Sequence, residues 1–489
     1  MRGTLLRSIG SLCALMLVLG GSVASAQEAT WQIEGSPNAH ATQHNFLNDI
    51  ACVGDSHCWA VGYYRAANAY QAIIQQWDGS SWTLAPVPDS SATRDDFVQG
   101  VGCASTSRCF AVGYSWSRPD NAYRSLVLEW DGTSWSNATP SDTSLAGNSF
   151  LIDVTCSASD DCWAVGSRQV GLLGGGFGPR QTLIMHWDGT SWETVASPNT
   201  LPFQGNALAS VTCVMPSDCW AVGYYGASGA DQTLALHWDG SEWDIVTSPN
   251  KSATQQNLLN GVSCIAADDC WAVGIVTPGV NQTLIQHWDG EAWSIVESPN
   301  SGPNNANVLF NVSCLSADEC WAAGYHKPHP WLENLMLVWD GSAWSIAPSP
   351  NSAPGQTNTL RAISCTPGYG CWAAGNYYGT GSISRTLILR YQQTQAELTA
   401  TEIDLRLEHV RGDIVATALL HTIHGDVGAG EGIVFSLNGQ EWDRVITAPD
   451  GNATASFHRS EIKKDDVVEA RFLGNEALAP SHASTQMSN

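Results

Sequence analysis

Between Asn257 and Asn300, apolar and polar positions alternate in four short runs separated by turn-forming residues. LLNGVSC ends at Cys264, CWAVGIV begins at Cys270, QTLIQHW ends at Trp288, and WSIVESPN starts at Trp293 and stops at Pro299. A period of two over runs this short predicts β-strands rather than helices. Asp289-Gly290, between the third and fourth runs, is a strong hairpin signal, because both central positions of the tight turn favour residues that tolerate positive φ. Pro299 ends the fourth run, since proline cannot donate within a ladder. The segment therefore predicts four antiparallel strands.

The same phrase recurs along the chain. Its first cysteine stands at positions 52, 103, 156, 213, 264, 314 and 365. A period of about 50 residues predicts a propeller or a solenoid. The ends of the array favour a ring. The seventh unit has its first three strands but, after Tyr391, no Asp-Gly turn and no final Trp strand. The missing strand stands at the opposite end, where Thr30 to Asn38 matches Ser191 to Asn199 in the placement of Trp, Ser, Pro and Asn. A linear solenoid needs polar capping repeats instead. The expected fold is all-β: a seven-bladed β-propeller over residues 27–394, closed by the N-terminal strand.

Three aromatic columns run through the repeat and hold 19 of the 22 tryptophans. One follows the second cysteine (Trp59, Trp163, Trp220, Trp271, Trp321, Trp372, with Phe110). One precedes Asp-Gly (Trp77, Trp130, Trp187, Trp238, Trp288, Trp339, with Tyr391), and one follows it (Trp82, Trp135, Trp192, Trp243, Trp293, Trp344, with Trp31). A large side chain present in every unit is expected between blades, where each indole buries roughly 150–250 Å².

Cysteine usage adds the compartment. Of 15 cysteines, Cys13 lies in an N-terminal segment with Arg2 and Arg7, an apolar run from Leu12 to Leu19 and the small residues Ala24-Ser25-Ala26. That order predicts a secretory signal peptide over residues 1–26. The other cysteines form the C-x5-C pairs Cys52/Cys58, Cys103/Cys109, Cys156/Cys162, Cys213/Cys219, Cys264/Cys270, Cys314/Cys320 and Cys365/Cys371. An even count, uniform spacing and export favour local disulfides over zinc, whose sites use shorter spacings and a second ligand pair. No metal or cofactor is expected. The net charge of −25 disfavours nucleic acid and anionic lipid as partners, and no later apolar run is long enough to span a membrane.

Residues 395–489 lack cysteine and the repeat. GIVFSLNG (Gly432 to Gly439), APDGNATASF (Ala448 to Phe457) and VVEARFLGNEALAPS (Val467 to Ser481) resemble bacterial Ig-like domains, which implies an antiparallel sandwich used as a spacer or adhesive module. Trp442 is expected in its core. The repeat itself is similar to the kelch and Asp-box propellers of bacterial exported proteins. The Asp-box reads S-x-D-x-G-x-x-W, however, and this chain has W-D-G-x-x-W, without the serine.

Connectivity indicates where function lies. The C-x5-C loop and the Asp-Gly turn share one end of each blade and scarcely vary. The opposite end carries the crossovers and the loops between second and third strands, from GASGAD (Gly226 to Asp231) to SRQVGLLGGGFGPR (Ser167 to Arg180) and HKPHPWLEN (His326 to Asn334). Variation on one face of a rigid scaffold marks a binding face. Candidate ligand-binding residues there are Tyr63, Tyr64, Tyr114, Trp116, Tyr224, Tyr225, Tyr325, His326, His329, Trp331, Tyr377 and Tyr378. Flat aromatics suit sugar rings or apolar peptide side chains, and strand-end packing explains them as well. Asn45, Asn206, Asn257, Asn307 and Asn358 recur seven residues before the first cysteine, with Asp96 and Ser149 in the other units, as turn formers or as a polar ring.

The expected function is a non-catalytic exported binder of a glycan or protein at this face. The alternatives are a carbohydrate-active hydrolase or lyase and a structural envelope component. Similarity to Asp-box sialidases implies three arginines on a substrate carboxylate, and here only Arg361 falls clearly on an inner strand. Asp49 and Asp153 are of the type that glycosidic acid–base chemistry uses, but their flanks read as ordinary strand starts. No catalytic residue is assigned.

Overall fold

The computed structural model describes residues 30–88, 94–117, 121–140, 147–171, 177–201, 203–227, 229–328, 330–379, 381–392, 401–410, 413–422, 430–438, 440–458, 463, 466–473 and 481–486. The expected signal peptide and His329 lie outside the described residues.

Each repeat folds into one four-stranded antiparallel sheet, and the described residues between Thr30 and Gln392 hold seven of them. In the fifth the strands are Gln256–Ala266, Asp269–Thr277, Gln282–Trp288 and Trp293–Val296. The seventh sheet takes its outer strand from the other end of the chain. Thr30–Glu34 pairs antiparallel with Ser384–Gln392, with Trp31 opposite Tyr391. The sheets follow one another around a propeller-like ring, and Ser364 of the seventh accepts the Cys52 N–H of the first at 3.2 Å.

Packing between neighbouring sheets explains the tryptophan columns. Trp59 of the first sheet stacks obliquely on Trp130 at 4.7 Å and meets Trp135 edge-on at 5.0 Å, both from the second sheet. The same trio recurs around the ring, for example Trp220 with Trp288 and Trp293. The indoles before Asp-Gly donate to carbonyls of their own cysteine loop, as in Trp77 to Asp55 at 2.9 Å. Those after it find no hydrogen-bond acceptor among the described residues and stand edge-on to the neighbouring ring instead. Aromatic pairs contribute about 0.5–1.5 kcal/mol each beyond their area, so the ring is held by many repeated contacts rather than one core.

All seven cysteine pairs are disulfides across the first hairpin: Cys52–Cys58, Cys103–Cys109, Cys156–Cys162, Cys213–Cys219, Cys264–Cys270, Cys314–Cys320 and Cys365–Cys371. The two cysteines of a pair differ in setting, which the uniform spacing does not reveal. The first of each pair is half-buried, and Cys52, Cys103 and Cys156 border the channel. The second is wholly buried in every sheet: Cys58, Cys109, Cys162, Cys219, Cys270, Cys320 and Cys371. These seven sulfurs are therefore core groups of the packing between sheets and not part of any exposed site. The cause is position, since each opens the second strand, which has a neighbour strand on both sides.

At the adjoining turn, Asp78 Oδ1 accepts the N–H groups of Ser80 and Ser81 and the Ser80 hydroxyl, which holds its carboxyl down to about 2. The glycine of the Trp-Ala-Val-Gly phrase has a reason that its position alone conceals. A Cβ on Gly62 would lie 2.0 Å from the Phe46 carbonyl oxygen, and Gly113, Gly166 and Gly274 meet the same obstacle. The carbonyl is pushed there by a β-bulge in the facing strand, described below.

Of the segment Ser167 to Arg180, expected as a long loop, the described residues on either side continue the second and third strands, and residues 172–176 lie outside the described residues. Asp161–Gly171 pairs with Phe177–Trp187 out to Gly171 opposite Phe177. In residues 401–486, a three-stranded and a four-stranded antiparallel sheet share one core that includes Ile403, Ile414, Phe435, Phe457 and Val468. Trp442 is not in that core. It is 41% exposed and lies over Phe457 from outside at 5.1 Å, because its strand, Gln440–Ile446, is an edge strand exposed along almost its whole length.

Candidate functional site

The first strand of every sheet carries a register shift at the same place. In the first sheet Leu47 pairs with Gly62 and Asp49 with Val61, so Asn48 is the extra residue. The shift recurs at Gln99, Ile152, Ala209, Asn260, Phe310 and Arg361. A bulge of this kind turns two successive side chains to one side of the strand. Here it turns them toward the ring axis, and strict alternation would have aimed only one of each pair there.

The result is a tiered channel. The seven bulge residues line a cavity of about 180 Å³ on the variable-loop side, together with Asp49, Asp153, Ser210 and Asn311. A deeper cavity of about 200 Å³ shares those four residues and continues toward Cys52, Cys103 and Cys156. Many of the polar groups tie one sheet to another. Asp49 Oδ2 accepts the Val101 N–H at 2.7 Å, Asp153 Oδ2 that of Val211 at 2.9 Å, and Asn311 Oδ1 that of Ile363 at 3.3 Å. Deeper down, Ser263 accepts from Cys314 and Ser313 from Cys365. Asn48 and Asn260 donate to the Val98 and Leu309 carbonyls, both at 2.8 Å.

Asp49 and Asp153, which stand two sheets apart along the chain, thus line one shared channel. Burial raises the Asp49 carboxyl well above the usual carboxylate range, and the neighbouring charge of Asp153 adds to it against the N–H groups of Val101 and Ile50. Burial likewise pushes Asp153 up to about 6, against hydrogen bonds from Val211, Ser210 and Val154. Two carboxyls that bind protons more tightly folded than unfolded stabilise the fold less as pH rises. The window runs from the unfolded value of about 4 to the folded value of about 6 for Asp153. Asp153→Asn should therefore flatten the fall of the melting temperature between pH 4.5 and 7.5. Parallel wild-type and variant pH profiles would show that burial does not hold this proton.

At the channel mouth the rings form a continuous arc across the first three sheets. Phe46 lies 5.0 Å from Tyr63, Tyr63 lies 5.1 Å from Phe97, Phe97 lies 5.2 Å from Tyr114, and Tyr114 lies 5.1 Å from Phe150. His44 stacks on one end and the Arg180 guanidinium covers Phe150 at the other. Tyr70 and Tyr123 back the arc from the third strands. These rings are half-buried, and burial pushes Tyr114 up to about 12.

Strand alternation divides the expected residues. Tyr63 and Tyr114 join the arc, and Tyr325 meets Phe310 at 5.8 Å. Tyr64, Tyr225 and Tyr377, one position further along, pack into the cores between sheets. Tyr224 is half-exposed without a ring partner among the described residues, and Trp116 stacks on Tyr123 at 4.7 Å. Tyr378 and Trp331 are exposed, and His326 faces Glu333 at 3.6 Å with its imidazole pKa lowered by burial. The recurring asparagines are wholly buried and hold the crossovers. Asn257, for instance, accepts the Lys251 N–H and donates to the Ser252 and Gln255 carbonyls.

Phe46, Phe97, Phe150, Phe310 and Gln99 were absent from the expected set. The signal for them was the recurring glycine of the second strand, since glycine inside a strand often marks a bulge. Among the described residues, no group of three or more His, Cys, Asp or Glu side chains gathers to hold a metal. No described helix is long and apolar enough to cross a membrane.

No family model matches the chain, and no curated protein matches it. Among solved structures, a six-bladed β-propeller fungal lectin from Aleuria aurantia, with a described fucose recognition mode, is 14% identical. The match covers 65% of this chain and 99% of the lectin at a TM-score of 0.39. A protein of unknown function from Dyadobacter fermentans is 10% identical over 75% of this chain and 99% of its own, at 0.42. A polysaccharide lyase bound to an ulvan fragment is 9% identical over 73% and 97%, at 0.41. Likenesses at these values decide neither blade number nor ligand.

Proposed function

We propose that this chain is an exported, non-catalytic glycan-binding protein. Residues 27–394 form its seven-bladed β-propeller, and residues 395–489 an Ig-like module that serves as spacer or second contact. The observation that carries this reading is the aromatic arc at the channel mouth. Flat, half-buried rings complement the apolar face of a sugar, and Gln99, Asn260 and Asn311 of the channel cavity carry amide groups of the kind that meet its hydroxyls. Seven disulfides suit an oxidising compartment.

A glycan array probed with the mature protein tests this, with Tyr63→Ala and Phe97→Ala as controls. Each substitution is expected to weaken binding about three- to tenfold, the scale of one aromatic contact, while leaving the disulfide hairpins intact. Captured polypeptide in place of any glycan would move the reading to a protein ligand.

The enzymatic alternative is favoured by one observation, the shared cavity of Asp49 and Asp153 with their raised pKa values. Against it stands what both carboxylates already do, accepting main-chain N–H groups that tie sheet to sheet. Chromatography of oligosaccharides incubated with the protein separates the two. Cleavage that disappears in Asp49→Asn would establish the enzyme.

A further inference from the structure

Six of the seven bulge positions carry neutral residues, and the seventh carries Arg361. No side chain recurs at this position as the glycines and tryptophans do at theirs, so the ring architecture does not by itself require Arg361. It is also the sole cation lining either described channel cavity, in a chain of net charge −25.

The guanidinium is uncommitted. Among the described residues it has no hydrogen bond and no ion pair, and Asp49 and Asp153 find their partners elsewhere. What holds it is aromatic. Arg361 lies over the Phe310 ring at 4.3 Å, a cation–π contact that orients the plane and leaves its N–H edges open. Tyr63, Tyr325 and Tyr378 stand close enough to interact with its charge, while the Arg361 side chain itself stays exposed to the channel. An arginine fork in a ring-lined mouth is suited to a planar or tetrahedral oxyanion.

Resting on the glycan reading above, we infer that the channel mouth selects anionic saccharides, with Arg361 engaging a carboxylate or sulfate while Phe310 and the aromatic arc receive the sugar rings. The two carboxylates below it set the orientation. An anionic group reaching past Arg361 would meet the negative charge at Asp153, so the charge of the ligand stops at the mouth.

Isothermal titration with oligogalacturonate, sulfated dextran oligosaccharides and neutral cellohexaose tests the inference on the mature chain. Wild-type protein should bind one or both anionic probes at least about tenfold more tightly than the neutral one, the scale of one charge-assisted bidentate contact. The first two probes distinguish carboxylate from sulfate. Arg361→Gln should erase that preference without changing the melting temperature, since the side chain faces open channel. Arg361→Lys should restore part of it, keeping the charge but not the fork. Anionic and neutral probes bound equally, with Arg361→Gln indistinguishable from wild type, would overturn this inference and leave the glycan reading standing. Binding of no saccharide at all would overturn both.

Discussion

Removing residues 27–38 should destabilise the whole ring, not only its seventh sheet. Thr30–Glu34 supplies the outer strand opposite Ser384–Gln392, and Trp31 fills the space between Tyr391 at 5.3 Å and Trp321 at 5.4 Å. The residues that follow bind the first and last sheets together. Gln75 donates to the Pro37 carbonyl at 2.8 Å, and the Thr386 N–H to Asn38 Oδ1 at 3.1 Å. Trp31→Ala alone is expected to cost about 3–5 kcal/mol, the range for emptying a buried tryptophan site. With an unfolding entropy of ~2.1 cal/mol/K per residue over the ring, that is a fall of roughly 5 °C. The full deletion should cost more, and a synthetic peptide of residues 27–38 added in excess should restore part of the loss. Calorimetry decides the matter. An unchanged melting temperature would mean that the ring does not depend on this strand for closure.

Reduction of the seven disulfides should have an effect of similar or greater size. Each joins cysteines six residues apart in sequence across one hairpin. Closing so short a loop removes about 2 kcal/mol of unfolded-state entropy in the chain model. Seven of them together set an upper bound on the order of 14 kcal/mol, or a fall of roughly 10–20 °C. The buried second cysteines sit in the same clusters as the tryptophans, as Cys109 with Trp59 and Trp135, Cys162 with Trp187 and Trp192, Cys320 with Trp271 and Trp344, and Cys371 with Trp31 and Trp321 illustrate. Reduced protein should thus also lose near-ultraviolet dichroism as the indole trios loosen. Chain unfolded, reduced, alkylated and refolded should melt at the lower temperature. Equal melting curves would assign the cysteines to another purpose.

Much of the architecture was legible because it is written in local, repeated patterns. Alternation, the Asp-Gly turns and the C-x5-C spacing each act within a few residues, so a linear reading recovers them. Even the closure at Trp31 left a local mark, an extra fourth strand at one end and a missing one after Tyr391. Trp442 was misread because burial of an edge strand depends on what the other sheet covers, and its own alternation does not reveal that.

The site was legible only in part for a related reason. Reading aromatics at strand ends named Tyr63, Tyr64, Tyr114 and Tyr377 alike as candidates, whereas Tyr63 and Tyr114 join the arc and Tyr64 and Tyr377 face the cores between sheets. One residue of alternation separates the two fates, and register is a property of paired strands. The sequence alone determined the repeat, the clamps and the strand that closes the ring, since these rest on short-range covalent and turn chemistry. The tertiary structure decided what lies on the axis. Each bulge shifts alternation by one residue, which brings Asp49 and Asp153 into one cavity and sets Arg361 alone among rings, through register that only the assembled sheets can impose.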